Sequence, residues 1–437
     1  MKVMKFGGTS VGSPQRMKEV AKLIHNGEQN FVVLSAMSGT TNALVEIADY
    51  YKKGNPESAQ AIINILRTKY NSHLNELYSK ADMRKKTKEI LNNIFNKLLS
   101  YADKEYNDIV EKEILAQGEI MSTNMMTNYL REQGVKATLL SAFAFMRIDE
   151  AREPDVKYLT EHLTPLIEEN KDTELFITQG FICLNSDNEI DNLQRGGSDY
   201  TASLIGAAIN AEEIQIWTDI DGMHNNDPRY VDNTQPVHQL HFEEAAELAY
   251  FGAKILHPTC VLPAKFASIP VRLLNTMNPQ AEGTLINNET EEKKIKAIAA
   301  KDNITVIKIV SSRMLLASGF LKKVFDIFET FHSSIDMVTT SEVGISMTID
   351  NDAYLADITE ELKKYGTVQI DRDMCIICVV GDLRCENTGF ESLITSGLQN
   401  IPVRMISYGG SNHNISFVVS GANKQMALQE LSKHIFK

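Results

Sequence analysis

The sequence predicts an α/β protein with a mainly parallel sheet, followed by a smaller α+β region built twice over. Two observations carry this. Through the first two-thirds of the chain, short apolar runs such as Val3–Phe6, Phe31–Leu34 and Gln215–Trp217 end in small polar loops and pass into helical patterns. In the last third the pattern repeats: Gly319-Phe320 recurs as Gly389-Phe390, and Ile345-Ser346 as Ile415-Ser416, each pair seventy positions apart. A fixed offset of that kind marks a tandem βαββ-type unit.

The chain has 437 residues, 43% hydrophobic and 23% charged, enough for two or three domains that each bury a core. Its formal net charge of −13 argues against a general nucleic-acid or membrane surface, so an anionic ligand needs a locally basic pocket. No apolar run approaches the length of a membrane span, and the N-terminus lacks the charged and apolar regions of a signal peptide. Five cysteines, an odd number in a large chain, fit a reducing compartment. The expectation is a cytoplasmic protein without nucleic-acid or membrane partners.

The first strand, Val3–Phe6, ends in Gly7-Gly8-Thr9-Ser10, and Pro14 opens a helix with Met17, Val20, Ala21 and Ile24 on one face. A strand entering a helix through glycines turns bare N–H groups towards the helix N-terminus, a place for an anion, above all a phosphate. Lys5 stands just before the glycines, where its ammonium reaches the same anion. The spacing is neither that of the P-loop nor Gly-x-Gly-x-x-Gly, and by itself it serves equally well as a tight turn. The device recurs at Phe31–Leu34, which ends in Ser35-Ala-Met-Ser-Gly-Thr-Thr-Asn42 before a helix near Ala43. In an open α/β sheet such loops gather at the carboxyl edge of the strands, where ligands bind.

Residues 56–108 read as a helical hairpin, with Arg84-Lys85-Lys86 in a solvated turn, and 109–131 as one helix in which Gly118-Glu119 interrupts an apolar face. A buried Glu119 is costly without a cationic partner. Further strands are read at Ala137–Leu140 and Leu175–Thr178. A second glycine-rich helix entry, Arg195-Gly196-Gly197-Ser198-Asp199, makes a chance occurrence of the first much less plausible. Gln215–Trp217 leads into Thr218-Asp219 and then Asn226-Asp227-Pro228-Arg229, and a helix is expected over 242–256, with Lys254 near its end and His257-Pro258 stopping it. Cys375-Ile-Ile-Cys378 has redox or zinc spacing, but residues three apart on a strand point to opposite faces, which favours a place in the core.

With these motifs in view the chain resembles the aspartokinases, an amino-acid kinase fold followed by two ACT domains. The matching stretches are Lys5-Phe-Gly-Gly-Thr-Ser10, Ser35 to Asn42, Gly118-Glu119, Arg195 to Asp199, Thr218-Asp219, Asp227-Pro-Arg229, Phe251-Gly-Ala-Lys254, Gly319-Phe-Leu321 and Thr339-Thr-Ser-Glu-Val343. They span almost the whole chain in order, and the length leaves no room for a fused dehydrogenase. The resemblance implies a three-layer sandwich over residues 1–292, its aspartate lobe about 1–190 and its ATP lobe about 191–292. Two ferredoxin-like βαββαβ ACT units would follow in 293–437, the first about 311–371. The second, about 372–437, would be completed by the 293–310 strand.

By that likeness Lys5, Gly7, Gly8 and Ser10 contact the phosphates of ATP, and Thr218, Asp219, His224, Arg229 and Lys254 complete the nucleotide site. His224 stands where relatives often carry a tyrosine. Ser35, Thr41, Glu119, Arg195 and Ser198 hold aspartate, Asp199 orients the catalytic lysine, and Lys5, Asp199 and Lys254 form the catalytic set. Mg²⁺ arrives on the ATP phosphates and no protein metal site is expected. Met314, Gly319, Phe320, Leu321, Asp336, Thr340, Ser341 and Glu342 match a lysine-binding ACT site, with Ala317 where relatives can carry serine. Asp336 and Glu342 suit a cationic amino acid, so lysine is favoured over threonine as feedback inhibitor. ACT units pair across chains, which implies a homodimer or a tetramer built from it.

The chemistry fits these residue types independently. The β-carboxylate of aspartate, with a reference pKa of about 3.9, is ionised at neutral pH, so no general base is required. In-line placement and neutralisation of the phosphoryl charge are required, and two lysines supply the second. The alternatives are another kinase of this fold, acting on glutamate, acetylglutamate or a nucleotide, and a non-catalytic amino-acid sensor.

Overall fold

The chain opens with β1 (Lys2–Phe6), α1 (Pro14–Ile24) and β2 (Asn30–Leu34), then α2 (Thr40–Lys52), α3 (Pro56–Leu77), α4 (Ala81–Ser100), α5 (Asp108–Leu115) and α6 (Gln117–Glu132). It continues through β3 (Ala137–Leu140), α7 (Val156–Glu169), β4 (Leu175–Gln179), the short hairpin β5 (Ile182–Leu184) and β6 (Ile190–Asn192), α8 (Gly197–Ala208) and β7 (Ile214–Thr218). After these come β8 (Gln239–His241), α9 (Phe242–Tyr250), α10 (Leu262–Phe266), β9 (Val271–Asn275) and β10 (Thr284–Asn287). The computed structural model describes residues 1–436 apart from 194–195, 253–256 and 315–317, with the backbone alone at 313. Its two units are Met1–Met223 with Leu256–Asn288, and His224–Ile255 with Glu289–Lys437. Residues 224–255 thus group with the tail, although the sequence places them in the first domain.

In the first unit the strands lie in the order β3-β4-β2-β1-β7-β9-β10. All neighbours are parallel except β10, which runs antiparallel to β9. Every residue of β2 and of β4 is buried, as expected of strands covered on both faces, and that is why they read as continuous apolar runs. One face packs Phe6, Val32 and Leu34 against Val20, Ile24, Leu44, Ile47, Met121 and Met125 of α1, α2 and α6. Lys5 is in register with Val33 on one side and Ile216 on the other. The loops after β1, β2, β4 and β7 therefore emerge together at the carboxyl edge.

Three local expectations are corrected. The helix expected over 109–131 is two, α5 and α6, meeting at Ala116. Arg84-Lys85-Lys86 lie inside α4, because Lys80 already starts that helix and the turn is 78–80. The helix expected over 242–256 stops at Tyr250. Beyond it Gly252 holds a left-handed φ of 122°, which ends a helix as effectively as the expected His257-Pro258.

The second unit adds β11 (Ile295–Val310), α11 (Phe320–Thr330), β12 (Val338–Thr340), β13 (Gly344–Ile349), α12 (Leu355–Lys363), β14 (Thr367–Gly381), α13 (Phe390–Gly397), β15 (Val403–Tyr408), β16 (Asn414–Ser420) and α14 (Lys424–Ile435). The strands form one antiparallel sheet in the order β12-β13-β11-β14-β16-β15. β11 and β14 pair along their whole length, with the register slipping between Lys301 and Ile304. The slip is a seam. Beyond it Thr305–Val310 pair with β13, while Met374–Val380 of β14 pair with β16. Each half of the sheet carries its own core, one around Phe328 and Leu362 and one around Phe417 and Leu431. Gly319 and Gly389, the repeated glycines, cap α11 and α13 at φ 83° and 97°, a left-handed conformation in which the lack of a Cβ is the requirement.

Candidate active site

Four carboxyl-edge loops of the first unit build the site. The loop after β1 approaches the loop after β2 so closely that a Cβ on Gly8 would lie 2.8 Å from the Ala36 carbonyl oxygen. Backbone bonds from Ser35 N–H to the Phe6 carbonyl and from Ser38 N–H to the Gly8 carbonyl lock the two together. The loop after β4 meets the start of α8: a Cβ on Gly180 would lie 2.3 Å from Ser198 Oγ. The Gly180 N–H donates to the Leu34 carbonyl, so β2, β4 and α8 meet at this glycine. The sequence does not single it out, because its reason is contact rather than a turn.

Lys5 Nζ lies 2.6 Å from Asp199 Oδ1, both side chains being mostly buried. Asp199 sits in the first turn of α8, whose N-cap Gly196 is left-handed; α8 thereby points its positive end at the Lys5 side of the sheet edge. Ser35 Oγ donates to Ser198 Oγ at 2.9 Å, joining two of the residues expected to hold aspartate. Thr41 is exposed in the first turn of α2. Thr218 ends β7, the immediate neighbour of β1, and its hydroxyl bonds the carboxylate of Asp219, the next residue.

Glu119 is 5% exposed. Its Oε1 accepts from the Ala36 N–H at 3.2 Å, and among the described residues no lysine or arginine is ion-paired with it. Burial pushes its carboxyl up to about 7, against the pull of the Ala36 N–H. α6 brings it this deep through Gly118, where a Cβ would stand 2.8 Å from Ala36 Cβ, and through Ser122 Oγ, which donates to the Ser35 carbonyl.

The other expected site residues fall as follows. Ser10 is fully buried, its hydroxyl bonded to Thr276 Oγ1 at 2.7 Å and its N–H to the Gly7 carbonyl. It closes the loop after β1. Arg195 and Lys254 lie outside the described residues, as does Ala317. His224 and Arg229 belong to the second unit. There the His224 ring is bonded to Thr234 Oγ1, and Arg229 is forked onto the Asp227 carboxylate, 2.6 Å at its shortest, with most of its side chain in solvent.

Of the residues expected to bind an effector, Gly319, Leu321, Thr340, Ser341 and Glu342 are exposed and Met314 is half-buried. Phe320 instead packs in the core with Val324 and Phe328, so its side chain is structural. Asp336 has a fully buried side chain paired to Lys301 at 2.8 Å. The ligand atoms of His241 and Glu243, two positions apart, and of the distant His413 lie within 4.8 Å of one another. The two rings stack at 14°, and His413 Nε2 lies 3.0 Å from the Glu243 carboxylate.

The amino acid kinase family model matches residues 1–275 and an ACT domain model matches residues 377–435, so fold and site together define an amino acid kinase with an ACT tail. Lysine-sensitive aspartokinase 3 of Escherichia coli (strain K12) is 34% identical, with 100% of this chain and 99% of that protein covered. Aspartokinase 1, chloroplastic, of Arabidopsis thaliana is 36% identical, with 100% and 80% covered. Among solved structures, E. coli aspartokinase III in complex with aspartate and ADP matches over 100% of both chains with a TM-score of 0.84 at 33% identity. The same enzyme in complex with lysine and aspartate gives 0.81 at 34% identity, again over 100% of both chains. The chain belongs to the aspartokinase family.

Proposed function

We propose that this enzyme transfers the γ-phosphoryl group of MgATP to the β-carboxylate of L-aspartate, giving 4-phospho-L-aspartate and ADP. The observation that carries this is the pairing of one charged couple, Lys5–Asp199, with a buried carboxylate, Glu119, that has no ion-pair partner among the described residues, around a single glycine-lined edge. E. coli aspartokinase III has been crystallised with aspartate and ADP, which supports the same pair of ligands here. Glu119 pairs with the α-ammonium of aspartate, Ser35 and Ser198 contact it by hydroxyl, and Arg195 grips the α-carboxylate in a bidentate fork. A β-carboxylate oxygen attacks the γ-phosphorus while the bond to the β–γ bridging oxygen breaks, and ADP leaves with that electron pair. Lys5, held by Asp199, lies where the phosphoryl charge spreads, and Lys254 adds a second positive charge. Gly7, Gly8, Thr218 and Asp219 cradle the nucleotide.

The exposed acidic Glu342 and the buried Asp336 favour lysine as the feedback inhibitor, in keeping with the lysine-bound form of E. coli aspartokinase III. β12 and β15 are edge strands of the ACT sheet, and an unpaired edge favours a homodimer formed through this region. Five unpaired cysteines suit a reducing compartment such as the cytosol. Among the described residues no helix is long and apolar enough to cross a membrane.

A hydroxamate assay tests the reaction. ATP-dependent product is expected with aspartate and only background with glutamate or no acceptor; equal product with glutamate overturns the substrate assignment. Titration with lysine, threonine and both tests the regulation, and indifference to lysine overturns it.

A further inference from the structure

Thr276, the first residue beyond β9, spends both of its polar groups on partners far away in the chain. Its hydroxyl is bonded to Ser10 Oγ at 2.7 Å, and its N–H donates to the Thr218 carbonyl at 2.8 Å. Ser10 belongs to the glycine-rich loop after β1, and Thr218 ends β7. β7 lies between β1 and β9 in the sheet, so the Ser10–Thr276 bond reaches past the end of β7. Strand pairing alone does not supply that tie. Ser10 is fully buried and Thr276 is 4% exposed, which keeps water from competing for the two hydroxyls.

Asn275 braces Thr276 from the side. Its Oδ1 accepts from the Met277 N–H at 2.7 Å, the side-chain turn that asparagine favours. Its Nδ2 donates to Asp221 Oδ1 at 2.6 Å, which clips the Thr218–Asp221 stretch a second time. The loop after β9 thus grips the loops after β1 and β7 together. The other side of the edge, built from Ser35, Gly180 and Ser198, is closed by contacts of its own. Among the described residues no hydrogen bond links Asn275 or Thr276 to those three.

We propose that Thr276 is a positioning residue for the nucleotide, setting the spacing between the loop after β1 and the loop after β7. This rests on the assignment of those two loops to ATP. With the tie in place, Gly7-Gly8 and Thr218-Asp219 are presented together before ATP arrives, and binding has little ordering left to supply. Without it the buried Ser10 hydroxyl is left unpaired, and its loop shifts to satisfy it. Only the fraction of molecules with both loops in place then binds ATP at full strength, and the apparent affinity falls by that fraction. Aspartate binding and the Lys5–Asp199 couple, to which Thr276 is not bonded, change far less.

The test uses the full-length enzyme, with the KM for MgATP and for aspartate measured by the hydroxamate assay at saturating levels of the other substrate. Thr276→Ala is expected to raise the KM for MgATP about tenfold, the scale of one buried hydroxyl left without its partner. The KM for aspartate and kcat stay close to wild type, and Thr276→Ser, which keeps the hydroxyl, recovers most of the loss. A merely structural role would lower the melting temperature and leave the ratio of the two KM values unchanged. Because Ser10 and Thr276 form one tie, Ser10→Ala combined with Thr276→Ala raises the KM for MgATP no further than the larger single effect. A wild-type KM for MgATP in Thr276→Ala, equal rises in both KM values, or multiplying effects in the double variant each overturn the role of Thr276 alone. Wild-type enzyme that makes no ATP-dependent product with aspartate overturns the reading of the reaction, and this proposal with it. Should Thr276→Ala fail to fold, Thr276→Val, which keeps the branched side chain, is judged on the same two constants.

Discussion

The Lys5 ammonium lies 2.6 Å from the Asp199 carboxylate, tying the penultimate residue of β1 to the first turn of α8. The pair aims a flexible lysine across Gly7, whose added Cβ would stand 3.6 Å from Lys5 Nζ. Lys5→Ala is expected to lower kcat by about a thousandfold, the scale of losing one preorganised charge at a transition state, with the far-UV circular dichroism unchanged. Asp199→Asn keeps a hydrogen-bonding oxygen and is expected to cost about tenfold to a hundredfold in kcat. Near-normal kcat in Lys5→Ala would remove the residue from the mechanism.

Glu119 makes a prediction in pH. Its carboxyl, raised to about 7 chiefly by burial, must ionise before it pairs with the substrate ammonium. The KM for aspartate should therefore rise as pH falls below about 7, approaching tenfold per unit, since neither the substrate ammonium nor its carboxylates titrate there. Glu119→Gln should raise KM by about a hundredfold and flatten that profile. The sign for stability is the opposite of a salt-bridged acid. The folded pKa exceeds the unfolded one, so between about 4.5 and 7 the native state holds more protons and unliganded stability declines with rising pH. Initial rates against aspartate from pH 6 to 8 provide the check, and a pH-independent KM in the wild type would contradict it.

Gly180 tests whether close contact, rather than turn conformation, builds the aspartate side. A methyl group there meets Ser198 Oγ, Cβ and Cα at 2.3 to 2.8 Å, and the helix α8 backbone has to move. Gly180→Ala is expected to cost about 1–3 kcal/mol of stability and to raise the KM for aspartate more than that for ATP. Gly410→Ala, at a position with open space around it, serves as the matched control. Calorimetric melting and the two KM values decide; equal effects of the two substitutions would show that the Gly180 contact yields without consequence.

The parallel core was legible because β2 and β4, covered on both faces, spell out continuous apolar runs, and the glycine-rich loops mark where each strand hands over. The ACT repeat was legible because left-handed caps at Gly319 and Gly389 admit little but glycine. What stayed hidden depends on contacts between distant residues. The hydroxyl of Ser10 is taken by Thr276, 266 positions away, so a residue in a phosphate-loop motif turned out to be internal. Asp336 looked like an open acidic ligand residue, yet its partners Lys301 and Tyr250 lie 35 and 86 positions off. Lys301 opens a polar step, Lys-Asp-Asn, which is the irregular seam of a sixteen-residue strand. Local pattern could not reveal that Gly118 lets Glu119 sink beneath Ala36.

Cys375 and Cys378 carry the last prediction. Both lie in β14, fully buried, and Cys375 pairs in register with Val419 while Cys378 pairs with Ser416. Three residues apart on a strand, they face opposite sides of the sheet; Cys375 joins the core around Phe417 and Cys378 does not. They cannot converge on one metal ion or form a disulfide with each other without breaking the strand. Burial also pushes the thiols up, Cys375 to about 12 and Cys378 further, so the reactive thiolate is scarce at neutral pH. Cys183 and Cys260 are likewise buried, and Cys385 alone is exposed. In native protein a thiol reagent should therefore modify one cysteine quickly, identified by peptide mapping as Cys385, and all five only in denaturant. Rapid native modification at Cys375 or Cys378 would mean that β14, the strand shared by both halves of the ACT sheet, opens on the timescale of the reaction.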